Sequence, residues 1–159
     1  MAKLMNEIRK SKPFDCREQE VFLNLMRTAE ALAKGMDALL KPVGLSATQY
    51  NVLRILRGAD ARCDQTGLPC HEIGSRMVTR DPDITRLLDR MEKAGLIHRQ
   101  RDTTDRRIIK TAITDAALRL LKDLDEPVLA MHRKQLSHLG QDKLQQLCEL
   151  LETAREHAM

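Results

Sequence analysis

The run Ile84-Thr85-Arg86-Leu87-Leu88-Asp89-Arg90-Met91-Glu92-Lys93-Ala94-Gly95-Leu96-Ile97 places apolar residues at 84, 87, 88 and 91. That is the spacing of one helical face. Just before it, Asp81-Pro82 predicts the helix start. Asp caps free N–H groups, and Pro suits the first helical position because it has no N–H to lose. Gly95 ends the helix. A shorter helix, His71 to Met77, precedes it across a tight turn. Two short helices in this order, the second ending at Gly before a strand, form a helix-turn-helix pattern.

Working outward, Leu96 to Gln100 and Arg107 to Ile113 read as strands, the second rich in β-branched residues. Arg101-Asp102-Thr103-Thr104-Asp105-Arg106 is the polar hairpin tip between them. Thr114 caps a long helix whose first residue, Asp115, suits the positive end of the dipole. Leu120, Leu121, Leu124, Val128 and Met131 continue it, with a kink expected at Pro127. Gly140 separates a last helix in which Leu144, Leu147, Cys148, Leu151 and Ala154 share a face, so Cys148 reads as core.

Toward the N-terminus, Asp15-Cys16-Arg17-Glu18 is a capping signal. Val21, Leu25, Leu32, Met36 and Leu39 predict a helix to about Leu40, stopped by Pro42 and Gly44. Ser46-Ala47-Thr48-Gln49 is a capping box, and Leu45 with Tyr50 has the spacing of a hydrophobic staple. This second helix is expected to end at Gly58, before a polar loop from Ala59 to Pro69. The fold class is mainly α with a small β-hairpin.

Composition narrows the function. The 159 residues are 42% apolar and 31% charged, an ordinary balance for a soluble globular domain. No apolar run approaches the ~18 residues of a membrane span. Met1 to Pro13 lacks an apolar signal region, so a cytoplasmic location is expected. Arg76 to Lys110 holds ten Lys/Arg and six Asp/Glu, a net of +4, which equals the net charge of the whole chain. A locally basic third suits a phosphate-facing surface; the alternative is a solvated face of mixed charge. Phe14, Phe22 and Tyr50 are too few for the stacking platforms of single-strand binders. No nucleophile–base pair, paired carboxylates or Gly-rich phosphate loop is apparent, so neither an enzyme nor a cofactor is expected. The histidines lack compact ligand spacing, the pair Cys70-His71 being the one suggestive of metal.

The recognition-helix run, with Arg99, the hairpin Asp105-Arg106-Arg107 and the closing Ile113-Thr114, resembles the MarR family of regulators. The helix order extends the resemblance over nearly the whole chain. Ala117 stands where the family usually has Gly. Pro82 and Asp83 stand where it often has small hydroxyl residues, which bears on base preference rather than fold. The resemblance implies a winged helix-turn-helix lobe at 46–113 and dimerisation helices at 1–45 and 114–159. It also implies a homodimer on double-stranded DNA, with no membrane partner. The apolar stripes of the terminal helices support the dimer independently, since one small lobe could not easily cover them. The implied role is a repressor relieved by a small-molecule effector. The implied recognition helix, about 81–94, enters the major groove, and the wing, about 101–107, the minor groove.

The candidate DNA-contacting residues are Arg80, Pro82, Asp83, Thr85, Arg86, Arg90, Arg101, Asp105, Arg106 and Arg107. Thr85 and Arg86 are placed to reach base edges, where Arg can donate two bonds to guanine. Arg86 could instead meet phosphate or pair with Asp83 or Asp89. Arg76, Arg80 and Arg90 read as phosphate-facing or solvated. Asp105 is expected to brace a wing arginine. Asp83 has two candidate roles: favouring the positive helix end, or accepting from a cytosine amino group. Met26, Met36 and Tyr50 are candidates for the effector pocket, or core. Cys70, placed at the cap of the third helix, would have an activated thiol, with Cys63 as resolving partner; the plainer reading is two inert thiols. Cys16 lies near where some family members carry a peroxide-sensing cysteine. Two other readings are a protein-interaction module on the same fold and a redox regulator acting through Cys70.

Overall fold

The computed structural model describes residues 3–60, 67–79, 81–102, 105 and 107–156. Cys63, Arg80 and Arg106 lie outside the described residues. The elements are α1 (Lys3–Glu7), α2 (Arg17–Leu40), α3 (Ala47–Asp60), β1 (Leu68–Pro69), α4 (Cys70–Arg76), α5 (Ile84–Lys93), β2 (Ile97–Arg101), β3 (Ile109–Ile113), α6 (Asp115–Leu136) and α7 (Gln141–Glu156).

Local chemistry sets most of the boundaries. The capping box at α3 closes in both directions: Gln49 N–H donates to Ser46 Oγ at 3.2 Å, and Ser46 N–H to Gln49 Oε1 at 2.9 Å. Leu45 and Tyr50 are buried beside it. The helix runs through Gly58 rather than stopping there. Gly58 costs about 1 kcal/mol against alanine, but the burial of Leu56 and Ala59 on either side outweighs it. Downstream, Thr114 Oγ1 accepts from Ala117 N–H at 3.3 Å and donates to the Gly95 carbonyl at 2.8 Å. One hydroxyl thereby starts α6 and ties it to the end of α5. Ala117 is fully buried, and α6 continues through Pro127.

At α5 and α4 the helix start differs from the sequence expectation. The cap of α5 is Asp83, whose Oδ1 accepts from Arg86 N–H at 3.4 Å. Asp81 instead accepts from Asp83 N–H at 2.8 Å, so Asp81-Pro82 forms the turn before the helix. Pro69 is the residue before α4, which makes Cys70 its first helical residue rather than its cap. At the other end of α5, Gly95 at φ +70° donates to the Glu92 carbonyl and Leu96 to Met91. This is the paired closure in which glycine tolerates the left-handed turn.

The sheet is antiparallel with order β1-β3-β2. Ile97 faces Ile113 and Arg101 faces Ile109 across the hairpin. β1 was not anticipated: two residues carry no periodicity. Its Leu68 pairs with Thr111, and Gly67 before it sits at φ +77°, where a Cβ would lie 2.4 Å from the Thr111 carbonyl oxygen. Only glycine fits that approach.

The core gathers Leu53 and Leu56 of α3, Ile73 of α4, Leu88 and Met91 of α5, Ile97 of β2 and Leu121 of α6. The terminal helices behave differently. Val21, Phe22, Leu25 and Met26 of α2 are exposed, as are Leu147 and Leu150 of α7. Cys148 is also exposed, so its stripe is not core within one chain. The cap of α2 is Cys16; Asp15 is taken up by reciprocal bonds with Gln19. α1 was not expected from its polar sequence. It is held by the buried Leu4 and by Glu7, whose carboxylate meets Arg27 Nε at 3.4 Å.

Candidate nucleic-acid interface

α5 is divided sharply. Leu87, Leu88 and Met91 are buried, while Thr85, Arg86 and Arg90 stand exposed with Pro82 and Asp83 at the helix start. Arg86 Nε lies 3.2 Å from Asp83 Oδ2. Asp83 therefore caps the helix with one oxygen and meets the neighbouring guanidinium with the other. Arg76 at the end of α4 pairs with Glu72 one turn back.

On the hairpin, Arg101 and Arg107 are exposed. Asp105 accepts from the backbone N–H of Arg107 at 3.0 Å and donates its own N–H to Asp102 Oδ1 at 2.9 Å. It thus shapes the turn backbone; the expected brace on a guanidinium does not involve Arg107. Ile108 N–H closes the turn onto the Asp105 carbonyl, which delays β3 to Ile109. Below the tip, Lys110 Nζ and Asp102 Oδ2 meet at 2.7 Å and are largely shielded.

Sequence reasoning placed Arg99 in the family motif but gave it no role. Its side chain is only 22% exposed and turns onto α5. Nη2 lies 2.7 Å from Asp89 Oδ1 and 3.5 Å from the Thr85 carbonyl; Nε lies 3.8 Å from Glu92 Oε2. The backbone N–H of Arg99 donates to Glu92 Oε1 at 3.0 Å. The signal was present as charge complementarity between a strand residue and two helix carboxylates, but no fixed spacing advertises it.

A cleft of about 350 Å³ opens where α2, α3, the α4–α5 turn and α6 approach one another. Met36, Tyr50, Met77, Val78 and His132 are among its lining residues. Two of the three pocket candidates meet here; Met26 is exposed elsewhere on α2. An adjoining depression shares Tyr50, Asn51 and His132 and adds Arg54 and Asp125. Asn51 Oδ1 accepts from Val78 N–H at 2.9 Å, linking the cleft to the turn before α5. Beside it, Arg57 donates two bonds to Asp125, at 2.9 and 2.7 Å, and Arg54 stands 3.6 Å from the same carboxylate. Hydrogen bonding from Arg57 holds the Asp125 carboxyl below its ordinary range and raises Arg57 in turn.

Cys70 is half-buried against the core and Cys16 is exposed. The Glu18 carboxyl near Cys16 is lowered, first by its own backbone N–H and then by the Cys16 side chain. Among the described residues no three His, Cys, Asp or Glu side chains converge on a metal position. No described helix is long and apolar enough to cross a membrane.

Residues 45–109 match the model of the MarR family. The chain is similar to a MarR transcription factor of known structure from Planctomyces limnophilus. They are 41% identical with a TM-score of 0.65, over 89% of this chain and 99% of that one. It is 26% identical to the HTH-type transcriptional regulator MhqR of Bacillus subtilis, over 83% of this chain and 87% of that protein. It is also 26% identical to the transcriptional repressor CouR, solved bound to a 23-mer DNA duplex. That match has a TM-score of 0.73 and covers 91% of this chain and 99% of that one.

Proposed function

Because this chain belongs to the MarR family of transcriptional regulators, we propose that it is a sequence-specific double-stranded DNA-binding repressor, acting as a homodimer and relieved by a small molecule. The observation that carries the reading is the exposed face of α5, with Thr85, Arg86 and Arg90, beside a hairpin bearing Arg101 and Arg107. Helix residues of this kind reach base edges in the major groove, where sequence is read. Wing arginines suit the negative potential of the minor groove.

The exposed apolar residues of α2 and α7 support a two-fold interface built from these helices. Such an interface would set two recognition helices about one DNA turn, ~34 Å, apart. The cleft at Met36, Tyr50 and His132 is the proposed effector site. A ligand there would act by favouring one placement of α5 over another, since only differential affinity shifts an equilibrium.

Selection from a random duplex library, followed by gel shift on the enriched sequence, tests the reading. The expected result is a two-fold symmetric motif bound far more tightly than random duplex. A protein that enriches no motif is not a sequence-specific regulator. A winged-helix interaction module would behave in that way.

A further inference from the structure

We propose that Arg99 is a positioning residue for operator recognition: it locks the recognition helix to the wing strand so that both reach their grooves in register. This inference rests on the DNA-binding reading above and assigns a role to a side chain that would not itself touch DNA.

Thr85, Asp89 and Glu92 are spaced i, i+4 and i+7, so they lie along one face of α5. Arg99 meets all three: the Thr85 carbonyl at 3.5 Å, Asp89 at 2.7 Å, and Glu92 through both its backbone N–H at 3.0 Å and its Nε at 3.8 Å. One strand residue thereby grips about 10 Å of helix at ~1.5 Å rise per residue. Gripping at several heights opposes both sliding along the helix axis and rotation about it. Arg101, two residues on, shares the strand side of Arg99 and leads into the wing.

Charge gives the same residue a second consequence. Asp89 and Glu92 would each repel phosphate, and the Arg99 cation is set against both. Nε is buried and makes no hydrogen bond, so its attraction to Glu92 is coulombic. Leu87, Leu88 and Met91 already pack α5 into the core, so the contact is not needed to bury the helix. The proposed role is therefore orientation.

Arg99→Lys separates the two consequences. It keeps the cation but not the planar fork, which Lys cannot reproduce. The expected result is a loss of about tenfold in the ratio of operator to random-duplex affinity, comparable to losing one good base contact. Random-duplex affinity and the salt slope should be unchanged, and the melting temperature nearly so. Asp89→Asn, which leaves Arg99 in place and removes its shortest ion pair, should reduce the ratio in the same direction. It decides the matter if Arg99→Lys does not fold. An unchanged ratio in a folded variant overturns the proposal, as does an equal loss of both affinities, which would mean a role in stability or charge alone. A wild-type protein that enriches no motif overturns the DNA-binding reading and this one with it. A motif-selecting wild type with an indifferent Arg99→Lys overturns only the role of Arg99.

Discussion

Asp83 is a carboxylate on a helix start that would face phosphate, and its surroundings indicate why it is there. One oxygen caps Arg86 N–H and the other pairs with the Arg86 guanidinium. Asp83→Asn keeps the cap, since Asn and Asp cap about equally well, and removes the ion pair. Its expected effect is a stability change within about 0.5 kcal/mol, typical of exposed pairs, with tighter binding to random duplex as Arg86 is released. Urea unfolding and titration of random duplex measure both. A relaxed preference at one base pair per half-site would instead assign Asp83 to base readout. The sequence displayed contacts of this reach well. Ser46 with Gln49 and Thr114 with Ala117 are both three residues apart, and local capping follows from local sequence; at α5 the cap falls two residues later than the sequence suggests, on Asp83, because Asp81 is taken up by the turn. Arg99 was not legible because its partners lie seven to fourteen residues away. They are joined only when the strand packs beside the helix.

Among the elements, the hairpin was legible as two strands and a polar tip, but its edges were not. Asp105 organises the turn through backbone N–H groups, so Arg107 and Ile108 belong to the turn rather than the ladder. β1 escaped for a different reason: its identity lies in the close approach of Gly67 to Thr111, which is a tertiary fact. The exposed Arg107 side chain is free to reach phosphate or groove while its backbone is held by Asp105. Arg107→Ala should therefore leave the unfolding transition in place and weaken binding. The slope of log affinity against log salt should become shallower by about 0.9, as one fewer phosphate charge is neutralised. Unaltered affinity and slope near physiological salt would remove Arg107 from the interface.

At the scale of the whole molecule, the apolar pattern of the terminal helices was visible in the sequence, but what covers it was not. Periodicity reports a buried face without saying whose surface buries it, and Cys148 was misread as core on that account. Phe22 at 60% and Leu150 at 61% exposure are costly to leave in water. Deleting Gln141 to Met159 should therefore give monomer or aggregate and abolish motif-specific binding; a truncated dimer with normal binding would refute this interface. The link between α3 and α6 is a separate matter, resting on charge. Arg57 and Asp125 form a two-bond pair with Arg54 beside it. The Asp125 carboxyl titrates below its ordinary 3.8 in the folded chain, chiefly through the bond from Arg57. A carboxylate lowered by folding stabilises the fold fully above its unfolded value. That contribution is lost as pH falls through the lowered one. Asp125 is nearly half exposed, so solvent screening limits the contribution to about 1 kcal/mol or less. Asp125→Asn should then cost up to that amount near neutral pH, with the gap to wild type closing as pH falls through the lowered folded value, where the wild-type carboxyl also loses its charge. Paired urea titrations across that range measure the gap. A gap that stays constant on acidification would show that Asp125 holds α3 to α6 by geometry rather than by charge.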